Sequence, residues 1–173
     1  MDRNITLFLI RHGETEENRL RILQGHLPGT LTPEGVEAAR ERAEDLANAE
    51  APFDLLLCSD LLRARRTACI IGERLHLAVR PTPLLRERDW GDFTGEYIPS
   101  LADREWPANV ESAERLLARA RNFLTWVRVT YPDQVVVAVG HGIINKAIQS
   151  VYHQRPMSQI MKMTNAEMRV LML

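Results

Sequence analysis

The sequence predicts an α/β protein, a three-layer sandwich in which a mostly parallel central sheet carries helices on both faces. Short apolar segments alternate with longer amphipathic segments along the 173 residues, and this alternation is typical of strands connected by crossover helices. The apolar segments also have the length and composition of strands. A hydrophobic content of 45% suits a chain of this size that buries a sizeable core. We expect a single domain over residues 1–173.

Four segments are predicted to be strands, and they are Ile5–Ile10, Phe53–Cys58, Val135–Val139 and Ala166–Leu173. The first three are short apolar segments bounded by polar residues. The fourth is predicted to lie at an edge of the sheet.

Helical patterns fill the intervals between these strands. The first helix is predicted to begin at Thr32-Pro33-Glu34, which combines a capping residue, a proline in the first turn and an early acid, and to end near Asn48. The others are predicted after Ser59-Asp60 to about Leu75, over Glu111–Thr130, and from just after His141.

Charge and composition exclude several classes of protein. The formal net charge of −1 offers no basic surface for nucleic acid or an anionic membrane. No signal peptide or membrane span is evident, so we expect a cytoplasmic protein. Cys58 and Cys69 stand in apolar contexts without a C-x-x-C pair, which predicts small core residues in a reducing compartment. No heptad pattern is present from which an oligomeric state could be predicted.

Three of the strand ends carry polar side chains that are costly to bury without partners. These ends are Arg11-His12-Gly13, Ser59-Asp60 with Arg63 in the next helical turn, and Gly140-His141-Gly142. Parallel strands bring their carboxyl ends to one edge of the sheet, where ligands bind in such folds. Two histidines and two arginines would meet there beside helix N-termini, an arrangement that suits a phosphate dianion.

Five segments, in order, resemble the motifs of the histidine phosphatase superfamily, which includes the cofactor-dependent phosphoglycerate mutases. They are L-I-R-H-G-E-T-E-E-N, L-Q-G-H-L-P-G-T-L-T-P-E-G, S-D-L-L-R-A-R-R-T-A, L-R-E-R-D-W-G-D-F-T-G-E and V-G-H-G-I-I-N-K. Three positions depart from the usual family pattern. Gly140 stands where Ser or Thr is usual, Lys146 where Arg is common, and Pro28 where Asp is frequent; the first change is expected to loosen hydrogen bonding around His141.

The resemblance implies a phosphomonoester hydrolase that acts on a small phosphorylated metabolite through a phosphohistidine. His12 is then the nucleophile, with one ring nitrogen held by a backbone carbonyl, and Glu87 is the general acid, for which Glu14 and Asp89 are rivals. The other residues implied in catalysis or substrate binding are Arg11, Arg63, His141, Asn18, Gln24, Gly25 and Gly142. Because the arginines supply positive charge, we expect neither a metal ion nor another cofactor.

Three alternatives remain. A mutase would transfer the phosphoryl group to a sugar phosphate, but the stretch Arg88–Gly140 is shorter than the insertion that holds the acceptor in mutases. A non-catalytic module that binds a phosphorylated ligand would be expected to lack part of the catalytic set. A metal hydrolase could use His12, Glu14 and His141, although the P-C-x-x-C partner of zinc deaminases is absent.

The segment Asp89–Glu114 is predicted to cross the pocket as a short lid. It offers apolar surface at Tyr97, Ile98, Leu101 and Trp106. Against the lone base Arg104, its acids are Asp89, Asp92, Glu96, Asp103, Glu105, Glu111 and Glu114. If these carboxylates face the pocket, we expect substrates with a neutral or partly apolar leaving group to be preferred. The alternative is an exposed acidic loop whose aromatic side chains pack into the core.

Overall fold

The central sheet has five strands in the order β3-β2-β4-β1-β5. The computed structural model describes residues 4–173. The strands are β1 (Thr6–Arg11), β2 (Leu55–Ser59), β3 (Val79–Thr82), β4 (Val135–Gly140) and β5 (Met168–Met172). The first four pair in parallel, and β5 runs antiparallel to β1 at the edge. The predicted mostly parallel sheet and the predicted edge strand are therefore confirmed.

Helices cover both faces of this sheet. They are α1 (Glu16–Arg19), α2 (Pro33–Asn48), α3 (Leu62–Leu75), α4 (Ala113–Thr130) and α5 (Gly142–His153). Helix α2 begins as predicted, because the Thr32 hydroxyl accepts the amide N–H of Gly35 and Pro33 occupies the first turn. One apolar core lies between the sheet and α4 with α5, and the other lies between the sheet and α2 with α3. This is the predicted three-layer sandwich.

Two details differ from the sequence-based expectations. Strand β3 has the sequence V-R-P-T and only its last residue is buried, so it lacks the apolar pattern by which the other strands were predicted. Cys58 is buried, and burial raises its thiol pKa to about 12. Cys69, however, is exposed on α3, so the prediction that it is a core residue is wrong.

The register of the sheet brings the polar strand ends together. Arg11 pairs with Gly140 across β1 and β4, and Cys58 pairs with Val139 across β2 and β4. The residues that follow these positions are His12, His141 and Ser59, and they therefore lie side by side at the carboxyl edge. Within residues 4–173, no helix has both the length and the apolar character needed to cross a membrane.

Candidate active site

A cavity of about 270 Å³ opens at this edge of the sheet. Its floor is formed by Arg11, His12, Arg63, Glu87 and Gly142. Its rim is formed by residues farther from the sheet, which are Ile22, Leu23, Trp90, Ile98, Ile143 and Lys162. The floor is thus polar and charged, whereas the rim is apolar except for one lysine.

His12 lies on the floor with its ring in a defined tautomer. It is buried, and Nδ1 lies 2.7 Å from the carbonyl oxygen of Gly13. Because a carbonyl only accepts, Nδ1 carries the proton and donates. The pKa of His12 is lowered well below its ordinary value by burial and by the charges of Arg63 and Arg11. Nε2 therefore keeps its lone pair, and the predicted bond from His12 to a backbone carbonyl is confirmed.

Two guanidinium groups flank this imidazole. Arg63, in the first turn of α3, is 1% exposed and places Nε 3.4 Å from Nε2 of His12. Its Nη2 donates to the Gly25 carbonyl at 2.8 Å, and burial lowers its pKa to about 10, so it stays charged at neutral pH. Arg11 donates from Nη1 to the Met163 carbonyl at 2.6 Å. The Nε of Arg11 is buried and has no hydrogen-bond partner among residues 4–173.

His141 lies beside His12, with 5.1 Å between the ring centroids. It is fully buried behind the cavity, and its Nε2 lies 2.8 Å from the Ser59 hydroxyl. Its Nδ1 is another buried atom without a hydrogen-bond partner among the described residues. Burial and the charge of Arg63 lower the pKa of His141 well below its ordinary value. The site therefore holds two neutral histidines between two arginines.

The space beside Gly140, where the family has Ser or Thr, is filled by another side chain. A Cβ atom at Gly140 would collide with Oδ1 of Asn145. The Asn145 amide donates to the Ile10 carbonyl at 3.0 Å, which fixes it against β1. Asn145 therefore fills the space of the missing side chain without restoring a hydrogen bond, because its Oδ1 has no hydrogen-bond partner among the described residues. The expected loosening of hydrogen bonding around His141 stays a prediction.

Glu87 reaches the floor from the loop after β3. Its carboxylate accepts the backbone N–H groups of Ile143 and Ile144, with 3.0 Å for the shorter bond to Ile144. These are N-terminal amides of α5, a favourable position for a carboxylate. The backbone of the loop is held by Arg119, which donates to the carbonyls of Arg86 at 2.6 Å and Glu87 at 3.4 Å. Arg119 could not be singled out from the sequence, because it resembles any other arginine on a charged helix.

The rival carboxylates lie elsewhere. Glu14 accepts from Arg19 at 2.8 Å and from the Thr32 hydroxyl at 2.9 Å, and it does not line the cavity. Asp89 accepts the N–H of Gly91 at 2.9 Å and lines a separate depression. Because Glu14 is directed away from His12 and His141, the three do not form a ligand set. Within residues 4–173, no group of three or more His, Cys, Asp and Glu side chains is placed to hold a metal ion.

The remaining predicted binding residues line the cavity: Asn18, Gln24, Gly25 and Gly142. The Asn18 side-chain oxygen accepts from the Thr15 N–H at 3.0 Å and from the Asn165 amide at 3.2 Å. This leaves its amide group free to donate into the cavity. The Gln24 side-chain oxygen accepts from the Thr15 hydroxyl at 3.0 Å. The structure therefore brings every predicted site residue to the cavity or directly behind it.

The predicted lid segment contributes apolar side chains, and not its carboxylates, to the rim of the cavity. Ile98 lines the cavity, whereas Leu101 and Trp106 line an adjoining apolar groove of about 450 Å³. None of the seven predicted acids lines the cavity; for example, Glu111 pairs with Arg119 at 2.7 Å and Glu96 with Arg104 at 3.5 Å. The condition for a negative entrance is therefore not met, and these acids fit the alternative of an acidic loop directed away from the cavity.

Comparison with known protein families decides the identity of this arrangement. The family model for the histidine phosphatase superfamily (branch 1) matches residues 7–173. This chain belongs to the histidine phosphatase superfamily. The resemblance of its five motifs to that superfamily is therefore confirmed.

Several proteins that are similar in sequence to this member of the superfamily are phosphatases. An uncharacterized phosphatase, PhoE, of Bacillus subtilis (strain 168) is 34% identical over 91% of this chain and 83% of its own length. A glucosyl-3-phosphoglycerate phosphatase of Mycobacterium tuberculosis (strain ATCC 25618 / H37Rv) is 32% identical over 88% of this chain and 77% of its own length. The structure of a mycobacterial glucosyl-3-phosphoglycerate phosphatase with VO3 superposes with a TM-score of 0.84 and 29% identity, covering 95% of this histidine phosphatase and 90% of that chain.

Proposed function

We propose that this protein is a phosphomonoester hydrolase that works through a phosphohistidine at His12 and needs no metal ion. One observation carries the proposal. Two buried polar atoms without partners, Nε of Arg11 and Nδ1 of His141, flank an imidazole whose Nε2 keeps its lone pair. A buried unsatisfied polar group costs about 1–3 kcal/mol. In the tautomer of His141 that carries its proton on Nδ1, with the Ser59 hydroxyl donating to Nε2, a phosphoryl group in the cavity would supply acceptors for both residues and an electrophile for His12.

The first step transfers the phosphoryl group to the protein. Nε2 of His12 forms a bond to phosphorus while the bond from phosphorus to the ester oxygen breaks. The arginines stabilise the equatorial oxygens through fixed positive charge, since Arg63 and Arg11 are held by backbone carbonyls before substrate arrives. Structures of a mycobacterial relative with VO3 and with inorganic phosphate support a cavity that receives such an oxyanion.

Glu87 completes both halves of the reaction. In the first half it acts in its protonated form and gives that proton to the departing ester oxygen, so the alcohol leaves neutral and Glu87 becomes a carboxylate. A water molecule then attacks phosphorus, returns a proton to Glu87, and breaks the bond between phosphorus and Nε2. The support for this role is placement: of the three carboxylates considered, Glu87 alone lines the cavity with His12. The segment 89–114 would partly cover the cavity as a lid through Trp90 and Ile98.

The test is detection of the covalent intermediate. We expect rapid acid-free quenching to trap base-stable, acid-labile phosphate on the wild-type protein and none on His12→Ala. Hydrolysis of an aryl phosphate in the presence of a chelator should proceed at the wild-type rate, and it should fall roughly 10⁴-fold or more in His12→Ala. Phosphate bound covalently to the His12→Ala protein would refute the assignment, and activity lost to the chelator would refute metal independence.

A further inference from the structure

Lys162 is the one charged residue of the rim, and the reaction described above does not use it. It lies in the irregular segment between α5 and β5, where sequence patterns give no indication of a role. Its side chain lines the cavity together with Arg11, Glu87 and Gly142. It makes no hydrogen bond or ion pair with another side chain within residues 4–173.

The backbone around Lys162 is fixed, so the side chain is presented to the cavity rather than left on a mobile loop. Arg169 donates to the Met161 carbonyl at 2.8 Å, and Arg11 donates to the Met163 carbonyl at 2.6 Å. Met163 is buried. Both neighbours of Lys162 are therefore held by arginines, one of which belongs to the cavity floor.

Arg11 and Lys162 both lie next to Gly142. A methyl group built on Gly142 would lie 3.4 Å from Cζ of Arg11 and 3.5 Å from Cε of Lys162. Partial desolvation beside the cavity and repulsion by the charge of Arg11 lower the pKa of Lys162, although Glu87 partly offsets them. Such a cluster of cations is favourable when an anionic ligand occupies it.

The position of Lys162 relative to the floor indicates which part of the ligand it meets. Arg63 is buried beside His12, whereas Lys162 is exposed on the rim. The transferred phosphoryl group must lie on the floor within reach of Nε2. The leaving group must then extend toward the rim, where Lys162 offers three N–H donors.

We propose that Lys162 binds a second anionic group, a carboxylate or a phosphate, on the alcohol portion of the substrate. This inference rests on the proposed phosphatase activity and names the substrate class of the same site. It also reverses the preference for neutral leaving groups predicted from the composition of the lid. Lys162 is thereby a specificity-determining residue rather than a ligand of the transferred phosphoryl group.

The experiment compares two substrates that differ in one charge, 3-phosphoglycerate and glycerol 3-phosphate. Wild type should favour 3-phosphoglycerate in kcat/KM, and Lys162→Met should lower that preference roughly 10- to 100-fold, the usual range for a hydrogen bond between charged groups. Lys162→Arg should keep most of it. Propane-1,3-diol bisphosphate against 3-hydroxypropyl phosphate repeats the comparison with a phosphate as the second anion.

Lys146 provides the matched control, because its charge acts on Lys162 but its side chain does not line the cavity. Lys146→Met should leave the preference unchanged. The proposal would be overturned if Lys162→Met lowered kcat/KM equally for both substrates or for neither. It would also be overturned if Lys146→Met lowered the preference for 3-phosphoglycerate as much as Lys162→Met does.

Failure of the proposed phosphatase activity would look different. It would leave an aryl phosphate unhydrolysed, or hydrolysed equally by His12→Ala. If the aryl phosphate is hydrolysed but the small esters are too slow to measure, their inhibition constants against it report the same preference. Equal inhibition of wild type by 3-phosphoglycerate and glycerol 3-phosphate would then also overturn the assignment of Lys162.

Discussion

Most of the cavity floor is built from strand ends and the first turns of helices, whereas most of its rim is built from loops that pair with one another. On the floor, His12 directly follows a buried strand and Arg63 is itself buried in α3, and His141 lies directly behind them at the end of β4. On the rim, the backbone of Leu23 bonds to those of Gly95 and Glu96 at 2.8 and 2.9 Å, and Ile98 is 44% exposed. The floor is therefore fixed by the same packing that makes the fold.

This difference between floor and rim separates the residues that affect every substrate from those that affect only some substrates. A change on the floor disturbs groups that have no freedom to adjust, so we expect it to affect every substrate. A change on the rim removes contacts made only by the leaving group, so its effect should depend on the substrate. The following predictions test that separation, beginning with the largest expected effect.

Glu87→Gln removes the proposed proton donor of the floor and keeps its shape. For an alkyl phosphate, whose alcohol is a poor leaving group, kcat/KM should fall roughly 10²- to 10⁴-fold. For an aryl phosphate, which leaves as a weak base, the loss should be far smaller. Steady-state kinetics on both esters measures this contrast. Equal losses on both would assign Glu87 a purely positional role, and the same pattern in Asp89→Asn would favour its rival.

The two buried histidines, His12 on the floor and His141 behind it, should make stability depend on pH. In the folded protein the pKa values of His12 and His141 lie well below the ordinary 6.5. Below about pH 6.5 the unfolded chain therefore binds protons that the folded chain does not, so stability falls as pH decreases. Each histidine should contribute about 1.4 kcal/mol per pH unit until its folded-state pKa is reached.

Urea unfolding at pH 7.5, 6.5 and 5.5 measures this dependence. His12→Gln should reduce the slope below pH 6.5 by about 1.4 kcal/mol per pH unit. The same replacement at His153, which lies exposed at the end of α5, serves as the control for the substitution itself. An unaltered slope in His12→Gln would mean that its imidazole accepts a proton in the folded state.

The smallest effect is expected on the rim. Ile98→Ala removes apolar surface where the leaving group emerges, at about 0.8 kcal/mol per buried methylene. Because the residue is half-exposed, kcat/KM for an aryl phosphate should fall only about three- to tenfold, with methyl phosphate unchanged. Leu101 lines the adjoining groove but not the cavity, so Leu101→Ala should change neither substrate. A loss on methyl phosphate would show that the rim also positions the floor.

The same separation explains what the sequence could predict. The residues of the floor could be predicted from the sequence because apolar strands ending in Arg11-His12 and Gly140-His141 must meet at one edge of a parallel sheet. The roles of Lys162 and Arg119 could not be predicted, since each depends on contacts with residues far away in sequence. The lid acids were misjudged for a different reason, because a carboxylate such as Glu111 pairs with a nearby arginine on α4 instead of facing the cavity. Composition gives the charge of a segment but not the direction in which its side chains extend.

The close approach of Asn145 to Gly140 couples these two positions of the chain. A Cβ atom at 140 would meet Oδ1 of Asn145, so a serine at 140 requires the Asn145 side chain to move or to be replaced. Shortening Asn145 alone would instead leave a cavity beside Gly140, which costs stability. The effects of substitutions at 140 and 145 are therefore expected to be non-additive.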